Sequence, residues 1–242
     1  MADTENQDRP RQEHEPSDET PGRDVEEREE LAGPLRQAIG ELDLDVVFTG
    51  PDATRWRVPA FWAGGQTFRA RFAAPAPGLY SFRTECSQPG DSGLVGRTGE
   101  VQVGPYDGSS PLYRHGRLRV APNRRTLEHA DGTPFLWVGD TWWMGLLPRL
   151  DWPHGFQKLA FDRVIKGFNV VQIVAGPQPD YDAIENPFDP LQGNEGGLPW
   201  ERAWARINPA YFDLADLRLS ALVQWGLTPC IVGMWGYFLP AM

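Results

Sequence analysis

Asp140 is followed directly by Thr141, Trp142 and Trp143, which sets one carboxylate beside two indoles. A carboxylate accepts hydrogen bonds from ligand hydroxyls, and flat apolar rings stack on apolar ring faces. The group therefore suits a hydroxyl-rich ring compound such as a sugar. The same residues have a purely structural use: Asp140 or Thr141 can cap a turn by accepting from backbone N–H groups, while the tryptophans pack a wall. Gln172 interrupts an apolar run, and a polar group so placed must find a partner. Either a cleft-facing amide or an internal hydrogen bond satisfies it. Trp235, with Tyr237 two residues on, offers more ring surface. Asp140, Trp142, Trp143, Gln172 and Trp235 are thus the candidate substrate-binding residues.

Further carboxylates, Asp180, Asp182, Glu185, Asp189, Glu195 and Glu201, lie between Pro177 and Asn208. They lack the glycine and terminal glutamate of a calcium loop, so no metal site is assigned. Pairing Asp140 with Glu185 or Glu195 for acid–base chemistry is disfavoured, because loop carboxylates are ordinarily solvated. His115, His129 and His154 have no metal-ligand spacing, and Gly193-Asn194-Glu195-Gly196-Gly197 lacks the Lys-Ser/Thr that completes a phosphate loop. No cofactor is expected.

Positioning these groups falls to apolar runs that alternate with helical patterns. Phe135 to Gly139, Val170 to Val174 and Cys230 to Gly233 are apolar almost throughout, which predicts strands covered on both faces in a parallel sheet. Between them, Phe156 to Lys166 and Pro209 to Trp225 carry apolar residues at helical spacing and stop at Gly167 and Gly226. This order is that of the first three strands of an incomplete TIM (β/α)8 barrel, a fold that needs eight. Asp140 would then lie just past the first strand on the catalytic face and Trp235 just past the third. The stretch from Pro177 to Asn208 is far longer than a usual connection and reads as a substrate-binding lid. Ahead of the barrel, residues 117–120 and 126–129 with Asp131-Gly132 predict a hairpin beneath its floor.

Composition divides the remainder. Residues 1–30 hold 12 Asp+Glu and 4 Arg with no aromatic residue, a net of −8 within the chain's −10. Such a segment cannot bury enough apolar surface to order itself, so 1–40 reads as a disordered acidic tail, either an interaction arm or simply solvated. Taking −8 from −10 leaves −2, without the basic patch that nucleic acid requires. Residues 41–104 show period-two runs at 44–48, 67–73, 79–85 and 100–103 separated by Gly/Pro turns, the pattern of a small antiparallel β-sandwich. Trp56, Phe61 and Trp62 in this part are either a stacking platform or filler. A linker at 105–116 leads to the barrel portion at 117–242. Cys86 and Cys230 read as free thiols. No signal peptide or membrane-length apolar run is visible, which leads to the expectation of a cytoplasmic protein. Oligomeric state is not legible.

Val58-Pro59-Ala60-Phe61-Trp62-Ala63-Gly64-Gly65, Arg69-Ala70-Arg71-Phe72 and Pro77-Gly78-Leu79-Tyr80 resemble the immunoglobulin-like β-sandwich that precedes apiosidase-like and endoglucanase-like barrel glycoside hydrolases. Asp131-Gly132-Thr133-Pro134-Phe135, Val138-Gly139-Asp140-Thr141-Trp142-Trp143 and Lys166-Gly167-Phe168-Asn169-Val170-Val171-Gln172 resemble the opening of that family's catalytic barrel. Ala63 stands where the sandwich motif often has Asp. The resemblance implies a carbohydrate substrate and places the catalytic acid/base and nucleophile on strands beyond Met242. The chain is then expected to be the N-terminal portion of a hydrolase, inactive alone. A non-catalytic carbohydrate- or protein-binding module is the alternative.

Overall fold

The computed structural model of the chain describes residues 42–88, 90, 93–178, 185–201, 204, 206–233 and 235–236. The segment read as an acidic tail lies outside them, as do Asp180, Asp182 and Tyr237. The described residues are mostly β-sheet with few helices, in a multidomain arrangement.

The first sheet joins β1 (Leu44–Thr49), β2 (Arg55–Pro59), β5 (Gly78–Cys86) and β6 (Thr98–Val103), antiparallel throughout, in the order β2-β1-β5-β6. Because side chains alternate across a strand, Val46, Phe48, Trp56, Val58, Tyr80 and Phe82 share one face. Phe72 closes that face by stacking on Phe48, ring centroids 4.3 Å apart, with Trp56 and Tyr80 at 5.6 and 5.7 Å. The other face is polar. One row across it is Arg55, Thr49, Ser81 and Glu100; the next is Arg57, Val47, Arg83 and Thr98.

Strand β2 is absent from the sequence expectation, and the strand expected over 67–73 shrinks to a two-residue hairpin of β3 (Phe61–Trp62) and β4 (Phe68–Arg69). Trp56 therefore belongs to the core. Phe61 lies under the Arg71 guanidinium at 5.3 Å. The Trp62 indole donates to the Gly65 carbonyl at 3.1 Å. These rings fill and join rather than form a platform.

Within the expected linker, α1 (Pro111–Arg114) makes a single turn. β7 (Leu118–Val120), β8 (Leu127–His129) and β9 (Pro134–Phe135) then form a three-stranded antiparallel sheet, with Gly132 at φ 89° in the β8–β9 turn. A left-handed φ of that kind suits glycine, which has no Cβ to clash.

The last sheet is parallel: β10 (Gly139–Trp142), β11 (Val170–Val174) and β12 (Thr228–Val232), in sequence order. Helices α2 (His154–Ile165) and α3 (Pro209–Gln224) make the crossovers. Each ends in the same way, the glycine N–H and the next N–H turning back on the final turn. Phe168 donates to the Arg163 carbonyl at 3.0 Å, and Leu227 to that of Leu222 at 2.9 Å. Phe156, Ala160, Tyr211, Ala215 and Leu222 pack with Trp142, Val171 and Ile173 in the main core. Full burial of each large side chain there contributes about 1.5–3 kcal/mol.

The first parallel strand begins four residues later than the apolar run suggests. Pro134 and Phe135 pair with β8 instead, and Leu136 and Trp137 are exposed. The cause is Asn169. Its side chain accepts from the Val138 N–H at 2.9 Å and donates to the Leu136 carbonyl at 2.7 Å, occupying backbone groups that a ladder would use. Asp140 consequently lies inside the strand rather than past it.

Candidate functional site

Register decides which way each candidate points. Asp140 is level with Val171, whereas Thr141 is level with Gln172 and Cys230. Val171 belongs to the helix-side core. Asp140 therefore faces the helix layer, and Thr141, Gln172 and Cys230 make a row on the opposite, inner face.

Asp140 is only partly exposed and heavily engaged. Its carboxylate accepts from the Thr141 N–H at 2.8 Å, from the Trp142 indole at 2.8 Å and from the Arg163 guanidinium. Burial works against its charged form, but the Arg163 and Trp142 hydrogen bonds and the Thr141 amide outweigh it and hold the carboxyl below its ordinary range. Arg163 also pairs with Asp162. Asp140, Trp142 and Arg163 border, with Thr141 and Trp143, an open depression of about 650 Å³. The arrangement ties strand to helix and fixes the Trp142 ring, which packs edge-on against Phe156 at 5.4 Å. Of the two uses that the sequence allows for Asp140, this geometry favours the structural one.

Trp143 and Trp235 are brought together. Trp143 follows β10 and Trp235 follows β12, yet their rings meet edge to face at 5.3 Å, spanning the end of β11 between them. Trp143 is 40% exposed. Close by, the ends of β11 and β12 approach tightly at Gly176, where a Cβ would come within 2.7 Å of the Gly233 carbonyl oxygen and 3.0 Å of the Trp200 ring.

The connection between β11 and α3 is fastened rather than loose where it is described. Asp189 caps a short 3-10 turn at Pro190–Gln192, accepting from the Leu191 N–H at 2.9 Å. Asn208, the N-cap of α3, accepts from the Ala210 N–H and donates to the carbonyls of Gly196 and Leu198, both at 2.8 Å. Glu201 pairs with Arg206 at 2.9 Å. Glu195 pairs with Arg218, whose guanidinium is 1% exposed; it donates to Glu195 at 2.9 and 3.1 Å and to the Leu146 carbonyl at 2.6 Å, and lies over the Trp152 ring at 5.7 Å. One buried arginine thus joins the loops that follow β10 and β11. Sequence reading passed over it, although an arginine among the apolar positions of a helix is the signal that could have found it. Burial beside it pushes the Tyr211 hydroxyl well above the ordinary tyrosine range, with Arg218 opposing. Among the described residues no cluster of three metal-ligating side chains occurs, and no helix is long and apolar enough to cross a membrane.

The parallel sheet and its rim fall within residues 121–241, half of the chain, which match the model of the apiosidase-like catalytic domain family. The chain belongs to that family. Residues 24–87 match a domain of unknown function, DUF5060, a match that starts inside the segment expected to be a tail. In structure the chain is similar to a Bacteroides vulgatus protein assigned as a glycoside hydrolase, at 20% identity and a TM-score of 0.63, over 82% of this chain. It spans only 38% of that protein's length. A glycoside hydrolase family 5 structure from the same organism is 18% identical over 53% of this chain and 26% of its own, with a TM-score of 0.35, a likeness too low to weigh. No curated protein matches. The apiosidase-like portion contains all five candidate residues, and both cysteines of the chain are free.

Proposed function

We propose that the chain forms the glycan-gripping N-terminal part of a glycoside hydrolase: an immunoglobulin-like β-sandwich built on the β2-β1-β5-β6 sheet, then the opening β/α units of a barrel, β10 to β12. The observation that carries this reading is the Trp143–Trp235 pair, an indole wall with Trp143 exposed and Trp235 half-buried, set across three strand ends. Sugar rings stack on such walls. Gln172, in the inner row two positions before Trp143, offers an amide to ring hydroxyls. Family membership supports carbohydrate as the ligand.

Glycosidic hydrolysis needs two carboxyl groups, about 5–5.5 Å apart for retention and about 6.5–9.5 Å for inversion. Asp140, Glu195 and Glu201 are each tied to an arginine, and Asp189 caps a turn. These four are therefore not the acid and nucleophile in this reading, in which the chain by itself binds without turnover. Titrating neutral oligosaccharides while following tryptophan fluorescence tests the rim. Affinity is expected to drop about tenfold or more in Trp143→Ala, the scale of a lost stacking contact; equal affinity in the two proteins would sink the assignment. Reproducible cleavage of an aryl glycoside by the 242-residue chain, abolished in Asp140→Asn, would overturn the division of labour.

A further inference from the structure

On the polar face of the first sheet, far in sequence from the tryptophan rim, lies a second concavity of about 380 Å³. Its floor is Val47, only 5% exposed despite its polar surroundings. Around it stand Arg55, Arg83, Thr49, Ser81, Thr98 and Glu100. The register fixes their arrangement: Thr49 and Ser81 lie between Arg55 and Glu100 in one row, and Arg83 and Thr98 stand side by side in the next.

The cations here are not equivalent. Arg57, at the edge of the second row, is committed to Asp45 at 2.6 Å and to Glu85. Arg55 and Arg83 make no ion pair among the described residues, although Glu100 shares their face. A guanidinium presents a planar fork that fits a carboxylate with two parallel hydrogen bonds. Three hydroxyls and one carboxylate lie between and beside the two forks; the hydroxyls both accept from and donate to ligand hydroxyls, and the carboxylate accepts from them. A compact multivalent anion would meet Glu100 as a repelling charge. A ligand with one carboxylate and several hydroxyls uses every group present.

We propose that this groove binds an acidic saccharide, a glycan carrying a uronate carboxylate, with Arg55 and Arg83 on the carboxylate and Glu100, Thr49, Ser81 and Thr98 on ring hydroxyls. The site is independent of the indole rim and would hold a charged polysaccharide on the opposite unit of the same chain.

Calorimetric titration of the full chain with trigalacturonate, with neutral trigalactose and with inorganic phosphate tests it. The uronide is expected to bind, and each of Arg55→Ala and Arg83→Ala to weaken it about tenfold, the scale of one charge-assisted contact. The titrations are repeated in the Trp143→Ala background, where the rim is disabled: the uronide should still bind there and each arginine variant still weaken it, so failure at the rim and failure here are told apart. In the Trp143→Ala background, binding of trigalactose as tight as that of the uronide, phosphate binding as tight as that of the uronide, or uronide affinity unchanged by the added Arg55→Ala/Arg83→Ala pair would each overturn the proposal, as would no uronide binding at all.

Discussion

Asp131 shows how a surface carboxylate can be held without burial. The Thr133 N–H donates to it at 2.9 Å, His115 Nδ1 lies 2.8 Å away, and together they bring its pKa from 3.8 to about 2. A depressed folded value means that the contacts stabilise the fold above the unfolded pKa, about 4, and that this contribution is lost as pH falls from there toward 2. Carboxyl NMR should show Asp131 titrating near 2, moving part of the way up in His115→Ala, since the Thr133 amide is the larger cause. An inflection at the ordinary value in the wild type would refute this. Arg218 is the opposite case, a buried cation with an outward partner. Arg218→Ala is expected to cost about 2–3 kcal/mol in urea unfolding, below the full penalty of a broken buried pair because Glu195 stays half exposed. Glu195→Gln should cost less, and the reverse order would argue that Glu195, not the Leu146 carbonyl, anchors the guanidinium.

Among the elements, β11 was plain in the sequence because four apolar residues around one glutamine, covered on both faces, have few other ways to fold. Both long helices were equally legible, their apolar spacing and terminal glycines fixing them to within two residues. The first strand was not, since an apolar run announces burial and not its hydrogen-bond partners. Leu136 to Val138 lies between two sheets, held by an asparagine 31 positions downstream of Val138. Asn169→Ala should therefore destabilise by about 1–3 kcal/mol, the cost of orphaning two backbone groups. Faster hydrogen exchange at the Val138 amide is the measurement; unchanged exchange would show the strand start to be set by other contacts. That offset also explains the candidate site. Asp140 was identified as a residue, but its direction depended on a one-residue register, which moves a side chain to the other face. Trp143 and Trp235, 92 positions apart, meet only because β11 lies between their strands, something no local pattern encodes.

For the molecule as a whole, the β3–β4 hairpin is docked on α3. Arg71 forks onto Asp216, with one arm at 3.0 Å, and Arg69 approaches Asp213 at 3.6 Å. Pro209 packs against Gly64, and the Arg206 guanidinium lies 6.0 Å from the Trp62 ring. The charged pairs are largely exposed, so a double-mutant cycle on Arg71 and Asp216 should return less than about 1 kcal/mol of coupling. A larger value would mean that the hairpin shields the pair from water more than its exposure indicates. These contacts give the two units orientation rather than strength, which suits a protein that presents one indole wall and one arginine-lined groove.

Gly176 bears on how that wall could change. Gly176→Ala would press a methyl group onto the Gly233 carbonyl oxygen and the Trp200 ring, pushing the end of β11 away from that of β12. The spacing of the two strand ends is in this sense gauged by a single hydrogen atom, and any widening there lies only two residues from Trp235.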